Sequence, residues 1–305
     1  MKTILHLSDI HFGPPFYPAV GEAVQRFAHE LGPDVIVTSG DYTQRATEEQ
    51  FADARRFLDR LPKVPTVVTP GNHDVPLYRV WERLTRPFDL YRRYISRELN
   101  TVYDLPEMRI VALNSTAPRR AITNGRIDSW QIEFARQGFE GTPPETLRIV
   151  VAHHHFAPPP DFEGADVMPR ARRALDAFTG MNVDIILGGH LHRAYIGNSL
   201  DVYAGVDREY GIVIAQTGTA TSRRGRARER DKNTFNVLRV DKHVIRVSHY
   251  MYVDDLGDFV PTSRHIFFRG GRAEEPDHRR RHDDQPAKRS SPPQRTDDDH
   301  VRLQA

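Results

Sequence analysis

Thr66-Val67-Val68-Thr69-Pro70-Gly71-Asn72-His73-Asp74 is the stretch on which the fold turns. Its β-branched run suits a buried strand and crowds a helix, and Pro70-Gly71 ends it abruptly. A strand therefore delivers Asn72 and His73 from its carboxyl end. An amide oxygen beside an imidazole is a donor pair that hard and borderline divalent metals accept. The chain has no cysteine, which excludes thiolate metal sites and disulfides. Taken alone, the stretch also reads as a turn in which Asn and His cap the next helix. What decides between the two is that the same event recurs along the chain.

Upstream, the short apolar strand Lys2 to Leu7 ends in Ser8-Asp9-Ile10-His11. Asp9 and His11 lie two apart, so in an extended segment they face the same way and can grip one ion. The apolar run is too short for a signal peptide and no run approaches a membrane span, so the expectation is a soluble, cytoplasmic protein. A helix pattern from Pro18 to Leu31 (Val20, Ala23, Val24, Phe27 and Leu31 on one face) closes at Gly32-Pro33. Strand Val35 to Thr38 follows and ends at Ser39-Gly40-Asp41. Thr47 to Leu61 reads as a helix with Thr47 as N-cap and Glu48 and Glu49 in the first turn, where acids suit the helix dipole. The result is a βαβαβ rhythm. Parallel strands joined by right-handed crossovers place their carboxyl ends together, so Asp9, His11, Asp41, Asn72 and His73 are expected at one rim of the sheet.

Downstream, Leu77 to Leu99 reads as helical with a break at Pro87, and Val102-Tyr103 and Arg109 to Leu113 as paired strands. Asp128 caps a helix reaching Gly138. Leu147 to Ala152 is a buried strand ending in His153-His154-His155. Pro158 to Pro169, rich in Pro and acid, is expected as a loop over the site. Arg170 to Thr179 is helical, and strand Val183 to Leu187 ends in Gly188-Gly189-His190-Leu191-His192. Tyr203 to Tyr252 is strand-like, with a hairpin turning at Asp241-Lys242. The basic loop Ser222 to Asn233 contains acids and no aromatics between its arginines, so it reads as a solvated hairpin tip rather than a phosphate or nucleic-acid site.

The net charge of +2 gives no bulk electrostatic reason to expect a nucleic acid or a membrane as partner. From Arg272 onward Pro, Arg, Asp, Ser and Gln dominate, and such a segment buries too little apolar surface to offset its chain entropy. The expected organisation is one domain over 1–270 and a disordered charged tail over 271–305.

Asp9-x-His11, Gly40-Asp41, Gly71-Asn72-His73-Asp74, His153 and Gly189-His190-Leu191-His192, in this order and strand context, resemble the calcineurin-like metallophosphoesterase family from residue 3 to roughly 193. Gly218-Thr219-Ala220-Thr221-Ser222 is similar to the bacterial members nearest the cyclic-nucleotide phosphodiesterases. The resemblance implies an α/β fold, a four-layer α/β/β/α sandwich with a dinuclear metal site at strand carboxyl ends. It implies that Asp9, His11, Asp41 and His192 hold a first metal and Asp41, Asn72, His153 and His190 a second, with Asp41 bridging. Mn, Fe and Zn all accept such a mixture of N and O donors. His73 would bind no metal and would act over the phosphate as the catalytic residue. The implied reaction is hydrolysis of small phosphodiesters, cyclic nucleotides among them, by a hydroxide bridging the two divalent metals. A nuclease or nucleotide-sugar hydrolase of the same fold and a non-catalytic metal-binding scaffold are the alternatives, with the oligomeric state open. The chain departs from the cyclic-nucleotide members at Gln44, where many of them carry an acid that orients the catalytic His. His154 and His155 read as supporting or loop residues, His6 as strand packing, Asn114 as a turn, and His243, His249 and His265 as structural or surface groups.

Overall fold

The computed structural model describes residues 1–119, 123–158, 167–202 and 211–269. The chain begins as its periodicity predicts, with β1 (Lys2–Leu7), α1 (Pro18–Leu31), β2 (Val35–Thr38), α2 (Glu48–Asp59) and β3 (Thr66–Val68). Gly32 stops α1 in the left-handed region at φ 56°, its N–H bonding to the Ala28 carbonyl. The Thr47 hydroxyl caps α2 by accepting the Gln50 N–H at 3.3 Å. Pro87 separates α3 (Val80–Thr85) from α4 (Asp89–Tyr94), because its ring cannot continue a helix. There follow β4 (Thr101–Leu105), β5 (Met108–Ala112), α5 (Ser129–Phe139), β6 (Leu147–Val151), α6 (Ala171–Gly180) and β7 (Ile185–Gly188). The chain then forms β8 (Tyr195–Asn198), the short α7 (Ser199–Val202), β9 (Val213–Gln216), β10 (Thr234–Val240), β11 (Val244–Val253) and β12 (Asp258–Phe268).

The strands form two six-stranded sheets, ordered β12-β11-β10-β1-β2-β3 and β4-β5-β6-β7-β9-β8. Pairing is parallel where strands alternate with helices, as in β1–β2–β3 and β5–β6–β7–β9, and antiparallel toward the flanks. As expected, Asp9, His11, Asp41, Asn72 and His73 share one rim, since β1, β2 and β3 lie side by side in the first sheet, while β6 and β7, which lead to His153, His190 and His192, belong to the second. The reason lies in the two apolar faces of these strands. Ile4, Val35, Val37 and Val67 of the first sheet join Ile110, Ile149, Val151, Ile185 and Leu187 of the second in one buried cluster, so the sheets meet face to face. The outer face of the first sheet is covered by α1 and α2 through Val20, Val24, Phe51 and Phe57. That of the second is covered by α5 and α6 through Ala135, Leu175 and Phe178. These are the four layers expected, α/β/β/α.

Two strands were not legible in the pattern. β8 is only four residues, and β12 carries Pro261, Ser263 and Arg264 in mid-course, which its position at the sheet edge tolerates. Most of the expected Pro158 to Pro169 loop, the start of the strand-like region at Tyr203, and the 271–305 tail lie outside the described residues. Among the described residues no helix is long and apolar enough to cross a membrane.

Ile149 is fully buried between the sheets whereas Ile266 is 55% exposed on β12. Urea denaturation of Ile149→Ala is expected to show a loss of about 2–5 kcal/mol, and that of Ile266→Ala less than about 1 kcal/mol. Equal losses would contradict this placement of the core.

Candidate metal centre

Each metal-capable motif occupies the turn that follows a buried strand, and these turns are bonded to one another. Asp9 N donates to the Gly40 carbonyl at 3.0 Å, His11 N to Asp41 O at 2.9 Å, and Gly189 N to His153 O at 3.0 Å. The segment Gly218 to Ser222 grips the first turn from the other side. The Thr219 hydroxyl donates to Asp9 O at 2.6 Å, the Thr221 hydroxyl to Ile10 O at 2.8 Å, and Ala220 N to Ser8 O at 2.9 Å. Asp9, His11, Asp41, His190 and His192 all have φ between 53° and 74°. That left-handed region costs an L-residue about 1–2 kcal/mol, and side chains held there are over-determined by their surroundings. Gly71 and Gly189 are required for close approach: a Cβ on Gly71 would enter the Asp41 carboxylate, and one on Gly189 would meet Ser8 and Asp9.

The turns bring all eight expected side chains together. His11 Nε2 and His192 Nε2 face each other at 3.0 Å, with Asp9 Oδ1 at 3.1 Å from His192 Nε2 and 3.7 Å from His11 Nε2. Asp41 Oδ2 lies 3.7 Å from His11 Nε2 and 3.4 Å from His153 Nε2. The Asn72 carbonyl oxygen is 3.1 Å from His153 Nε2 and 2.9 Å from His190 Nδ1. The remote atoms of these groups are already committed. His153 Nδ1–H donates to Ser39 O at 2.8 Å and His192 Nδ1–H to Arg224 O at 3.0 Å, and because a carbonyl only accepts, each Nε2 is left free to face inward. Asp9 Oδ2 accepts His190 N–H and Asp41 Oδ1 accepts His73 N–H. Among the described residues, Asp9 Oδ1 and Asp41 Oδ2 are buried without a hydrogen-bond partner. Inward-facing nitrogens grouped around orphaned carboxylate oxygens fit divalent cations, and nothing in an apolar or purely hydrogen-bonded core explains them.

Among the described residues, two groups of potential ligands have donor atoms within 4.8 Å of one another: Asp9, His11, Asp41 and His192, and His153, His154 and His190. The presence of His154 departs from the sequence reading. Its ring lies 4.6 Å from that of His190, while its Nδ1 pairs with Ser115 Oγ at 2.8 Å. His6 of β1 bonds Ser39 Oγ just past the neighbouring β2, and Asn114 makes an Asx turn to Thr116, both as expected. His249 is buried against Asn236.

His73 sits edge-on to His11, ring centroids 4.9 Å apart. Its Nδ1–H donates to the backbone carbonyl of Gln44 at 3.0 Å. The Gln44 side chain does not orient this ring and accepts instead from Arg224 Nη1 at 2.7 Å. Asp74 also points away from the ring, accepting from Thr43 N and Gly71 N. Arg224 and Arg226 belong to the stretch read as a solvated hairpin tip. They line, with Asp41, His73, His190, His192, Thr123 and Asn124, a cavity of about 440 Å³ over the centre. The signal that could have placed them is their position immediately after Gly218 to Ser222.

Burial and mutual proximity set the charges. Burial lowers His11 to about 4 and His6 to about 3, and holds His154 and His190 well below the ordinary imidazole range. For His153 burial is outweighed by the Asp41 carboxylate, which pushes it up to about 9. Asp41 itself is held low by His153 and His73 against its own burial. Burial, reinforced by Asp41, pushes Asp74 up to about 7.

The calcineurin-like phosphoesterase family profile matches residues 2–194. A purple acid phosphatase from yellow lupin shares the fold at a TM-score of 0.64 and 12% identity, over 87% of this chain and 53% of that one. This chain thus spans about half the length of the lupin protein. PhoD aligns at a TM-score of 0.61 and 12% identity, over 86% of this chain and 71% of its own. A dimetal phosphatase from Danio rerio aligns at 0.55 and 12% identity, over 85% of this chain and 98% of its own. No curated protein matches the sequence.

Depressed histidines are neutral in the fold but take up protons when unfolded, so their contribution is present above pH 6.5 and lost on acidification, through about 4 for His11. His153 has the opposite sign: its contribution is present below pH 6.5 and lost as pH rises through about 9. Scanning calorimetry of chelator-stripped protein is therefore expected to show Tm falling from pH 6.5 toward 4. A flat profile over that range would contradict neutral buried imidazoles.

Proposed function

Because the chain belongs to the calcineurin-like phosphoesterase family, we propose that it is a dinuclear metal-dependent phosphoester hydrolase acting on small diesters. In this reading Asp9, His11, Asp41 and His192 hold one divalent cation and Asp41, Asn72, His153 and His190 the other. The observation that carries it is Asp41 Oδ2, buried, unpartnered, and set between His11 and His153. A cation pair bound there supplies neutralisation of phosphoryl charge and activation of a water.

The remaining chemistry falls to the chain's own groups. With its Nδ1 proton fixed on Gln44 O, His73 exchanges protons at Nε2, beside the cavity, and is positioned to stabilise the phosphate or protonate the leaving oxygen. The His73 N–H to Asp41 Oδ1 bond ties the position of that ring to the carboxylate that would hold the cations. A cavity of about 440 Å³ is of a size for a small ester, which favours this reading over a nuclease. Cyclic nucleotides are one class of diester that such a cavity could admit.

The test is to load the purified protein with Mn²⁺, count bound metal by mass spectrometry, and assay a chromogenic diester, a chromogenic monoester and 3',5'-cyclic AMP. Asp41→Asn is expected to lose both metal and turnover. His73→Ala is expected to keep its metal and lose roughly 10²–10⁴ in kcat. A wild-type protein that binds two metals and hydrolyses none of the three would favour the scaffold reading, and full activity in Asp41→Asn would show the centre to be misassigned.

A further inference from the structure

Asn114, two residues past β5, does more than close a turn. Its backbone N–H donates to Asn100 Oδ1 at 3.0 Å and its carbonyl accepts Gln131 Nε2 at 2.7 Å. Its Oδ1 accepts Thr116 N at 2.9 Å and the Thr116 hydroxyl at 2.7 Å. Because a backbone N–H only donates, the atom facing Thr116 N is the amide oxygen, and Nδ2 is the one polar group of the residue left to a ligand. It has no hydrogen-bond partner among the described residues, although Asn114 is only 9% exposed. A donor so buried is costly to leave unpaired.

Asn114 lines a cavity of about 520 Å³, within the range of about 300–1,000 Å³ that holds small organic ligands. This cavity shares no lining residue with the one over the metal centre. Residues of the segment after β5 divide between the two. Thr116 and Arg119 line the first and Asn124 the second, while Ser115 Oγ pairs with His154.

The charges of the lining are unbalanced. Four arginines and two aspartates face the cavity. Arg126 is spent on Asp128, Nε to Oδ1 2.5 Å. Arg86 and Arg92 have no side-chain hydrogen bond or ion pair among the described residues, and Arg119 commits only Nε, to Leu84 O at 3.0 Å. Against these three cations stands Asp89, which leaves an excess of two positive charges. A phosphomonoester, carrying about −1.5 to −2 at neutral pH, matches that excess, whereas a carboxylate or a diester brings a single charge. Phe88, Leu99 and Pro118 supply apolar wall, and the indole of Trp130, 59% exposed, adds a flat π-face. Such a face is a platform on which a planar base stacks.

We propose that this cavity is a second ligand site, separate from the metal centre, and that it binds a nucleoside monophosphate. That ligand joins the three features the wall asks for: a dianionic phosphate for Arg86, Arg92 and Arg119, a planar base for Trp130, and acceptor atoms for Asn114 Nδ2. The inference goes beyond the hydrolase reading and does not depend on it, because the ligand is held and not cleaved.

The chain has two tryptophans, so Trp81→Phe leaves Trp130 as the sole indole. The full-length Mn²⁺-loaded Trp81→Phe protein is titrated with AMP, adenosine and orthophosphate while indole emission is followed. AMP is expected to quench it saturably and to bind at least tenfold more tightly than adenosine, and orthophosphate to compete without quenching. Arg92→Ala in the same background removes an exposed side chain and is expected to weaken AMP roughly 10–100-fold. Asp41→Asn, which the hydrolase reading expects to lack metal and turnover, is expected to keep the quench, as is wild-type Asp41 protein stripped by chelator. No quench by AMP, AMP binding that Arg92→Ala leaves unchanged, or adenosine binding as tightly as AMP would overturn the site. Loss of the quench both in Asp41→Asn and after stripping would assign the AMP to the metal centre and overturn it equally, while leaving the hydrolase reading standing.

Discussion

The Asp41 carboxylate is fully buried, and its two oxygens have different tasks. One oxygen fixes the turn that carries His73 by accepting its backbone N–H, and the other faces imidazoles from both sheets without a hydrogen bond of its own. An ion so deeply removed from water is expensive unless opposite charge is close, and the His153 imidazole, 3.4 Å away, has its proton affinity raised by that carboxylate against its own burial. The surrounding turns, glycine contacts and strand ends can all be understood as means of bringing compensating groups to this one atom.

That requirement explains why the turns are strained. Strands β1, β2 and β7 are regular and apolar, and five residues just beyond them, Asp9, His11, Asp41, His190 and His192, have backbones in the left-handed region. The cost is spread over several positions and is sustained by the two-sheet core, whose apolar interlock does not depend on the site. Stability and chemistry are thus divided between the middle of the sandwich and one of its ends.

Much of this was legible in the chain itself. Val35 to Thr38 and Leu147 to Ala152 announce buried strands because β-branched and apolar residues fill them on both faces, and Gly40-Asp41 and His153 mark where they stop. The partition into two sheets was not legible from periodicity, because an inward-facing Val looks the same whichever sheet it belongs to. β12 escaped notice because its edge position permits Pro261 and polar residues that a central strand would exclude. The orienting partner of His73 was hidden for a different reason: it is a main-chain carbonyl, which every residue has, so the identity of Gln44 says nothing about it. Arg224 was read as solvent-facing because its surroundings are supplied by segments about 180 residues away, such as the Gln44 turn.

His11 and His192, face to face at 3.0 Å, are separated by 181 positions in sequence, and one comes from each sheet. During synthesis at about 5–20 residues per second, His11 emerges roughly 10–40 s before His192. In that interval the nascent polypeptide has only half of the donor set. Completion of the donor set is therefore a late event in biogenesis, and closure of the first sheet by β10, β11 and β12 comes later still.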